Sequence, residues 1–209
     1  MLLVELEPVI DAVVNERAIL LAARIRATQA RGVRDVAPGY STLGVHFDPL
    51  QTDLAALEHT IETEFTALAT IETIADRSVR EIPVTYGGER GPDLDAVAAF
   101  AGCSPAEVIR RHADCTYRVY MLGFVPGFAY MGRVDPSLAA PRHRVPRERV
   151  PAGSVGIAGL QTGVYPVDSP GGWQLIGHTT TVMFDPNRAQ PSLLSAGDLV
   201  RFVPAGPRS

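Results

Sequence analysis

Chemistry-bearing side chains gather between Val150 and Thr179, VPAGSVGIAGLQTGVYPVDSPGGWQLIGHT, a glycine-dense stretch that also holds the chain's single tryptophan, Trp173. Ser154, Asp168 and His178 follow one another in the order of one serine-hydrolase triad, and Ala152-Gly153-Ser154-Val155-Gly156 is a nucleophile-elbow pattern with its first glycine replaced. An elbow needs a strand, a sharp turn and then a helix. Here Gly-bearing turns follow with no helical period, and the three residues lie too close in sequence for the βα units that separate triad members. A glycine turn is therefore the favoured reading of Ser154.

His178, between Gly177 and Thr179, stands at a predicted strand end. A neutral imidazole titrating near ~6.5 can exchange a proton with an amide-derived leaving group, so His178 is the candidate catalytic residue. The alternative is a hydrogen-bonded structural histidine. His46, His59 and His112 have no partner at metal-ligand spacing, and no metal is expected. Arg142, Arg144, Arg147 and Arg149 form a dense basic run. Guanidinium forks take carboxylate or phosphate bidentately; a solvated loop is the ordinary alternative. The segment Phe124–Tyr130, FVPGFAY, is a constrained aromatic loop that could line a small-molecule pocket, face a partner or plug the core. Phe124, Phe128, Tyr130, Tyr165 and Trp173 are many large groups for short segments. They are expected to leave an apolar face exposed for a partner.

Two kinds of element must position these residues. Apolar steps of three or four predict a helix from Ile10 to Ala27. Strands are predicted at Leu2–Leu6, Val33–Ala37, Thr42–Phe47 and Val79–Tyr86. Asp48-Pro49 reads as the start of a second helix with Leu50, Leu54, Leu57, Ile61, Phe65 and Leu68 on one stripe. The order strand–helix–strand–strand–helix–strand is a ferredoxin-like split βαβ unit over residues 1–84. In the remainder, 85–209, Gly87 to Pro92 is a linker-like turn cluster and Asp93 caps a helix to Ala101. Ser104-Pro105-Ala106-Glu107 opens another helix, to about Ala113. Tyr117–Leu122, Val155–Ile157, Val164–Val167, Gln174–Ile176, Val182–Phe184 and Leu199–Val203 are short strands of a compact antiparallel barrel. The class is α+β in two domains.

Composition narrows the function. With 46% hydrophobic residues the chain can bury a core, and a net charge of −4 offers no general attraction to nucleic acid. No apolar run approaches the ~20 residues of a membrane span. The two cysteines, Cys103 and Cys115, fit a cytoplasmic protein. All nineteen basic residues are arginine. Without lysine there is no Walker A loop and no Schiff-base chemistry.

Four stretches, IPVTYGGERGPDLDAVA, LGFVPGFAYMG, VPAGSVGIAGLQTGVYP and SPGGWQLIGHT, carry a resemblance to the B subunit of bacterial 5-oxoprolinase. That family is also known as allophanate hydrolase subunit 1 and includes inhibitors of sporulation histidine kinases. The resemblance covers nearly the whole chain and implies a cyclophilin-like C-terminal barrel. It further implies ATP-dependent opening of a lactam, 5-oxoproline, to glutamate. Two partners are implied with it: the 5-oxoprolinase C subunit, similar to allophanate hydrolase subunit 2, and the A subunit. In that scheme Gln161, Thr162 and Tyr165 bind substrate, and Arg142 holds a carboxylate or phosphate. His178 assists proton or charge transfer, and Phe124, Phe128, Tyr130 and Trp173 shape the pocket or the partner face. ATP would be bound by the complex, at no assigned residue. The Ser–Ser–Lys triad of amidase-type allophanate hydrolases is closed to a chain without lysine. Two other readings stay open: a carboxyltransferase-like module of urea or amide metabolism, and a binding inhibitor of a histidine kinase. Met1 falls inside what the resemblance implies is the first hairpin, so either the start lies upstream or the first strand is unpaired.

Overall fold

Local rules shape the first helix of the structure, a computed structural model that describes residues 1–68 and 77–206. Asp11 accepts hydrogen bonds from the backbone N–H of Val13 (2.8 Å) and Val14 (3.1 Å) and so starts α1 (Ala12–Thr28). Leu21, Ala22 and Ile25 of that helix are buried with Val36, Leu43 and Val45. These last three come from a sheet of β1 (Leu2–Glu5), β2 (Val33–Pro38) and β3 (Thr42–Phe47), in the order β1–β3–β2. The first strand is paired, with Leu2 opposite Val45.

The second helix starts later than Asp48-Pro49. Asp48 is committed to a turn, accepting from Leu50 N–H (3.0 Å), Gln51 (2.9 Å) and Arg34 (2.8 Å). Leu50 is consequently 94% exposed. Asp53 takes the capping role, accepting from Ala56 N–H (3.1 Å), and α2 runs Leu54–Leu68.

The chain divides into two units, Met1–Asp76 and Arg77–Ser209, so the boundary precedes the expected one at residue 84. The strand Val79–Tyr86 (β4), assigned from sequence to the first unit, belongs to the second. Its buried residues, Ile82 and Val84, alternate along the strand, but a period of two says which face is buried and not which sheet buries it.

The second unit adds α3 (Leu94–Ala101), α4 (Pro105–Ala113), β5 (Thr116–Leu122), β6 (Ala129–Gly132), β7 (Arg147–Val150), β8 (Ser154–Ala158), β9 (Gln161–Val164), β10 (Ser169–Gly171), β11 (Gln174–His178) and β12 (Leu199–Pro204). Seven strands close a barrel in the order β11–β4–β12–β5–β6–β9–β8, antiparallel except for the parallel pair β12–β4. The strands β7 and β10 form a separate ribbon. Neither β6, β7 nor β10 was expected, and Val182–Phe184 makes only an isolated bridge, Phe184 to Ser192.

A chain of polar groups crosses the barrel core. Thr162 donates to Gly156 C=O (3.0 Å), so its hydroxyl accepts from His112 Nε2–H (2.9 Å), and His112 Nδ1 accepts from Tyr86 OH (2.8 Å). Every link has one donor and one acceptor, which fixes the tautomer. His112 also stacks on Phe202 with centroids 4.7 Å apart. Its burial lowers the imidazole pKa to about 3, whereas an unfolded histidine titrates near ~6.5. Between those values the unfolded chain binds a proton that the folded chain refuses, so stability falls as pH drops, by at most ~1.4 kcal/mol per pH unit. Urea unfolding followed at Trp173 should show this slope between about pH 6.5 and pH 5, above the range of ordinary carboxylates. His112→Gln should flatten it, leaving the smaller same-sign share of His178, whose pKa is also lowered. Equal slopes in both proteins would contradict the assignment.

Candidate functional site

Five aromatic rings meet around Phe128. Tyr130, Tyr165, Trp173 and Phe124 pack edge-on against it at centroid distances of 4.9, 5.2, 5.3 and 5.7 Å. Phe128, Tyr165 and Trp173 are only 1%, 1% and 4% exposed. The expected exposed aromatic face is therefore not formed; within the cluster only Phe124 is largely open, at 59%. The glycines make the room. A Cβ on Gly163 would lie 2.9 Å from Ala129 C=O and 3.3 Å from both Phe128 and Trp173, and one on Gly171 would collide with the Tyr165 ring. Glycine density here is space for aromatics rather than turn punctuation alone.

A cleft of about 250 Å³ opens over this cluster, lined by all five rings, Arg142 and the ribbon residues Pro170 and Gly171. The exposed Arg142 guanidinium stands 5.8 Å from the Trp173 ring centroid. It has no carboxylate partner among the described residues. The structure thus brings together Arg142, Tyr165, Phe124, Phe128, Tyr130 and Trp173. Gln161 and Thr162 do not join them. Gln161 sits at the turn end of β9, opposite Ala158, and Thr162 is fully buried in the polar chain through His112. Neither lines the cleft.

His178 belongs to a neighbouring cleft of about 420 Å³, shared with Arg90, Arg147, Arg149, Ser154 and Leu175. The clefts adjoin along two strands: Trp173 faces one and Leu175 the other, as do Pro146 and Arg147. The His178 Nε2–H donates to Ala152 C=O (3.0 Å), and Nδ1 accepts from Arg90 Nη1 (3.2 Å). A carbonyl only accepts and a guanidinium only donates, so this tautomer is set by its neighbours. Partial burial, then the Arg90 charge, hold its pKa below the usual range. Gly153, at φ 83°, allows the approach; a Cβ there would be 2.7 Å from His178 Nε2.

No triad forms. Asp168 accepts from Arg149 Nε (2.8 Å) and Ala152 N–H (2.8 Å), and both His178 nitrogens are occupied elsewhere. Ser154 is buried on β8, register partner of His178. Among the described residues no group of three His, Cys, Asp or Glu is placed to hold a metal, and no helix is long and apolar enough to cross a membrane.

Sequence reasoning missed Arg90 and Asp93. Asp93 reads as a cap, yet its side chain makes no bond at the helix end. Its carboxylate instead takes Arg147 Nη2 on both oxygens (2.7 and 2.9 Å) and Leu175 N–H (2.6 Å). His143 Nε2 is 3.3 Å away without an aligned hydrogen bond. Asp93 is buried but the Arg147 side chain is 31% exposed, so removing the carboxylate leaves a partly solvated guanidinium and a buried Leu175 N–H without its acceptor. Asp93→Ala should lower barrel stability by about 1–3 kcal/mol in urea unfolding, whereas a change well under ~1 kcal/mol would show the pair to be incidental. In the complex that the family resemblance implies, Ser154→Ala should leave activity within a few-fold. A collapse by orders of magnitude in a folded variant would restore a serine nucleophile.

Residues 1–194 match the family described as carboxyltransferase domain, subdomain C and D. The chain is 43% identical to the 5-oxoprolinase B subunit of Bacillus subtilis over 204 residues, covering 93% of this chain and 85% of the relative. It is 44% identical to the 5-oxoprolinase B subunit of Escherichia coli O157:H7, covering 96% and 90%. The crystal structure of TTHA0988 superposes with a TM-score of 0.86 at 38% identity, covering all of this chain and 40% of that one. Urea carboxylase of Kluyveromyces lactis shares the fold, with a TM-score of 0.79 at 20% identity, covering 98% of this chain and 21% of that one. The chain belongs to the carboxyltransferase-domain C and D family, and within it to the group of 5-oxoprolinase B subunits.

Proposed function

We propose that the chain serves as the B subunit of an ATP-dependent 5-oxoprolinase and that its aromatic cleft receives 5-oxoproline. The observation that carries this is the pairing of a flat aromatic-lined cleft of about 250 Å³ with an unneutralised guanidinium at its mouth. A five-membered lactam bearing one carboxylate has the complementary chemistry: a planar amide for the rings and an anion for Arg142. The relatives named as B subunits of 5-oxoprolinase support the same substrate.

An amide is a poor electrophile, and ATP supplies activation by phosphorylating its oxygen. The chain's own contributions are to orient the ring against Trp173 and Tyr130, hold the carboxylate at Arg142 and exclude water from the ring face. His178, neutral with its Nε2 proton held on Ala152, does not meet the amide in this cleft. Any proton transfer by His178 belongs to the adjoining cleft. A residue fitting a nucleotide phosphate is present there: Arg90 is exposed, lines the cleft and, among the described residues, bonds only to an imidazole nitrogen. Catalysis in this scheme needs the A and C subunits as partners, because the chain has no lysine for a phosphate loop and no nucleophile–base pair forms among its described residues. The shared fold with urea carboxylase carries no activity across at 20% identity.

The isolated chain should hydrolyse no 5-oxoproline, and the co-expressed A, B and C subunits should show 5-oxoproline-dependent ATP hydrolysis. Arg142→Gln should raise KM about 10- to 100-fold, the equivalent of one charged hydrogen bond, with kcat changed far less. Robust turnover by the single chain would sink the reading of a dependent subunit, and an unchanged KM would remove Arg142 from the site.

A further inference from the structure

We propose that the cleft between Arg90 and His178 is a phosphate site, separate from the aromatic cleft and built to read a hydroxyl-bearing oxyanion. Three arginines line this cleft, and two are already neutralised: Arg147 by Asp93 and Arg149 by Asp168. Arg90 is the third. No ion pair joins it to a carboxylate among the described residues, and its hydrogen bond is the 3.2 Å contact to His178 Nδ1. One of five guanidinium N–H groups is thereby used, and Arg90 is exposed. Glu89, also exposed, is the acid of the lining.

The imidazole defines which anion fits. Its Nε2 proton is fixed on Ala152 C=O, so Nδ1 can only accept. An occupant that displaces Arg90 from Nδ1 must bring a proton for that nitrogen and a negative oxygen for the guanidinium. Hydrogen phosphate keeps a P–OH at neutral pH and brings both; a phosphomonoester, whose second pKa lies at ~6, brings the proton only in its monoprotonated fraction. An ionised carboxylate brings no proton, and neither does sulfate. The Nε2–H bond to Ala152 C=O orients the imidazole, and the Ser154–His178 strand pair fixes the backbone that carries it, so the acceptor is positioned before the ligand arrives. The depressed pKa of His178 keeps Nδ1 free for this role at neutral pH.

The inference deepens the proposed function, because nucleotide-driven lactam opening must hold a phosphate near the amide, but its geometry stands without that reading. The test uses the full chain with ¹⁵N-labelled histidine, observing the His178 ring nitrogens at constant ionic strength near pH 7. Inorganic phosphate is titrated in parallel with sulfate, acetate, ATP and 5-oxoproline, and Trp173 fluorescence is recorded in the same samples. Phosphate should shift His178 Nδ1 saturably at or below the millimolar range, and Arg90→Gln, at an exposed position, should weaken that binding at least about tenfold. Sulfate and acetate should be weaker by a similar factor. Competition by ATP identifies the nucleotide as the phosphate source, and its failure to compete identifies free phosphate; either fits the site. Silence of His178 toward phosphate, equal shifts in Arg90→Gln, or equal binding of sulfate and acetate would overturn the proposal. 5-Oxoproline should alter Trp173 without moving His178. If it does so while phosphate fails, the phosphate site falls and the proposed function stands. If phosphate binds and 5-oxoproline leaves Trp173 unchanged, the reverse holds.

Discussion

Asp93 flanks the first turn of α3, where an aspartate ordinarily caps the helix, yet its carboxylate points away from that turn. It is 6% exposed and bonded to Arg147 and to the backbone of Leu175. The backbone N–H of Asp93 in turn donates to Leu175 C=O (2.9 Å). One residue therefore joins α3, the ribbon strand β7 and the barrel strand β11. Strand β7 carries the wall that separates the two clefts, and β11 begins beside Trp173 and ends on His178. A half-buried pair of this kind does little for net stability compared with apolar packing. Its value here is positional: it fixes which arginine is neutral and leaves Arg90 and Arg142, one at each cleft, with uncompensated charge.

Glycine performs the second positional task. Aromatic rings can lie flat on strands only where no Cβ stands in the way, and Gly156, Gly163 and Gly171 occupy those places beneath Trp173, Phe128 and Tyr165. The rings then bury one another edge to edge, the arrangement favoured by their quadrupoles. A cleft built this way is rigid before a ligand arrives, which lowers the ordering entropy lost on binding. The polar chain from Tyr86 to Thr162 stiffens the opposite side of the same barrel strands, β8 and β9, from within.

Much of the architecture was legible because period and capping act locally. The strand at Thr42–Phe47 and the helix opened by Ser104 and Pro105 fall where apolar spacing and caps place them. What failed was long-range. Nothing local in Val79–Tyr86 tells that its partners are a strand at the far end of the chain and another ending at His178. The candidate positions divide in the same way. The aromatic positions and Arg142 that line the cleft were named from composition and family resemblance. Thr162 lies away from that cleft, on a buried histidine; a threonine beside a glycine reads alike whether it faces a ligand or a buried imidazole. Arg90 and Asp93 were passed over because a turn cluster and a helix cap already explained them.

In the proposed complex the ring of a lactam rests on the aromatic cluster with its carboxylate toward Arg142. Intermolecular nuclear Overhauser effects between 5-oxoproline ring protons and the protein, measured on the full chain with its partner subunits, test this directly. Contacts to the Trp173 indole and the Tyr130 ring are expected, with none to His178. Bound 5-oxoproline whose contacts lie away from both rings would contradict it.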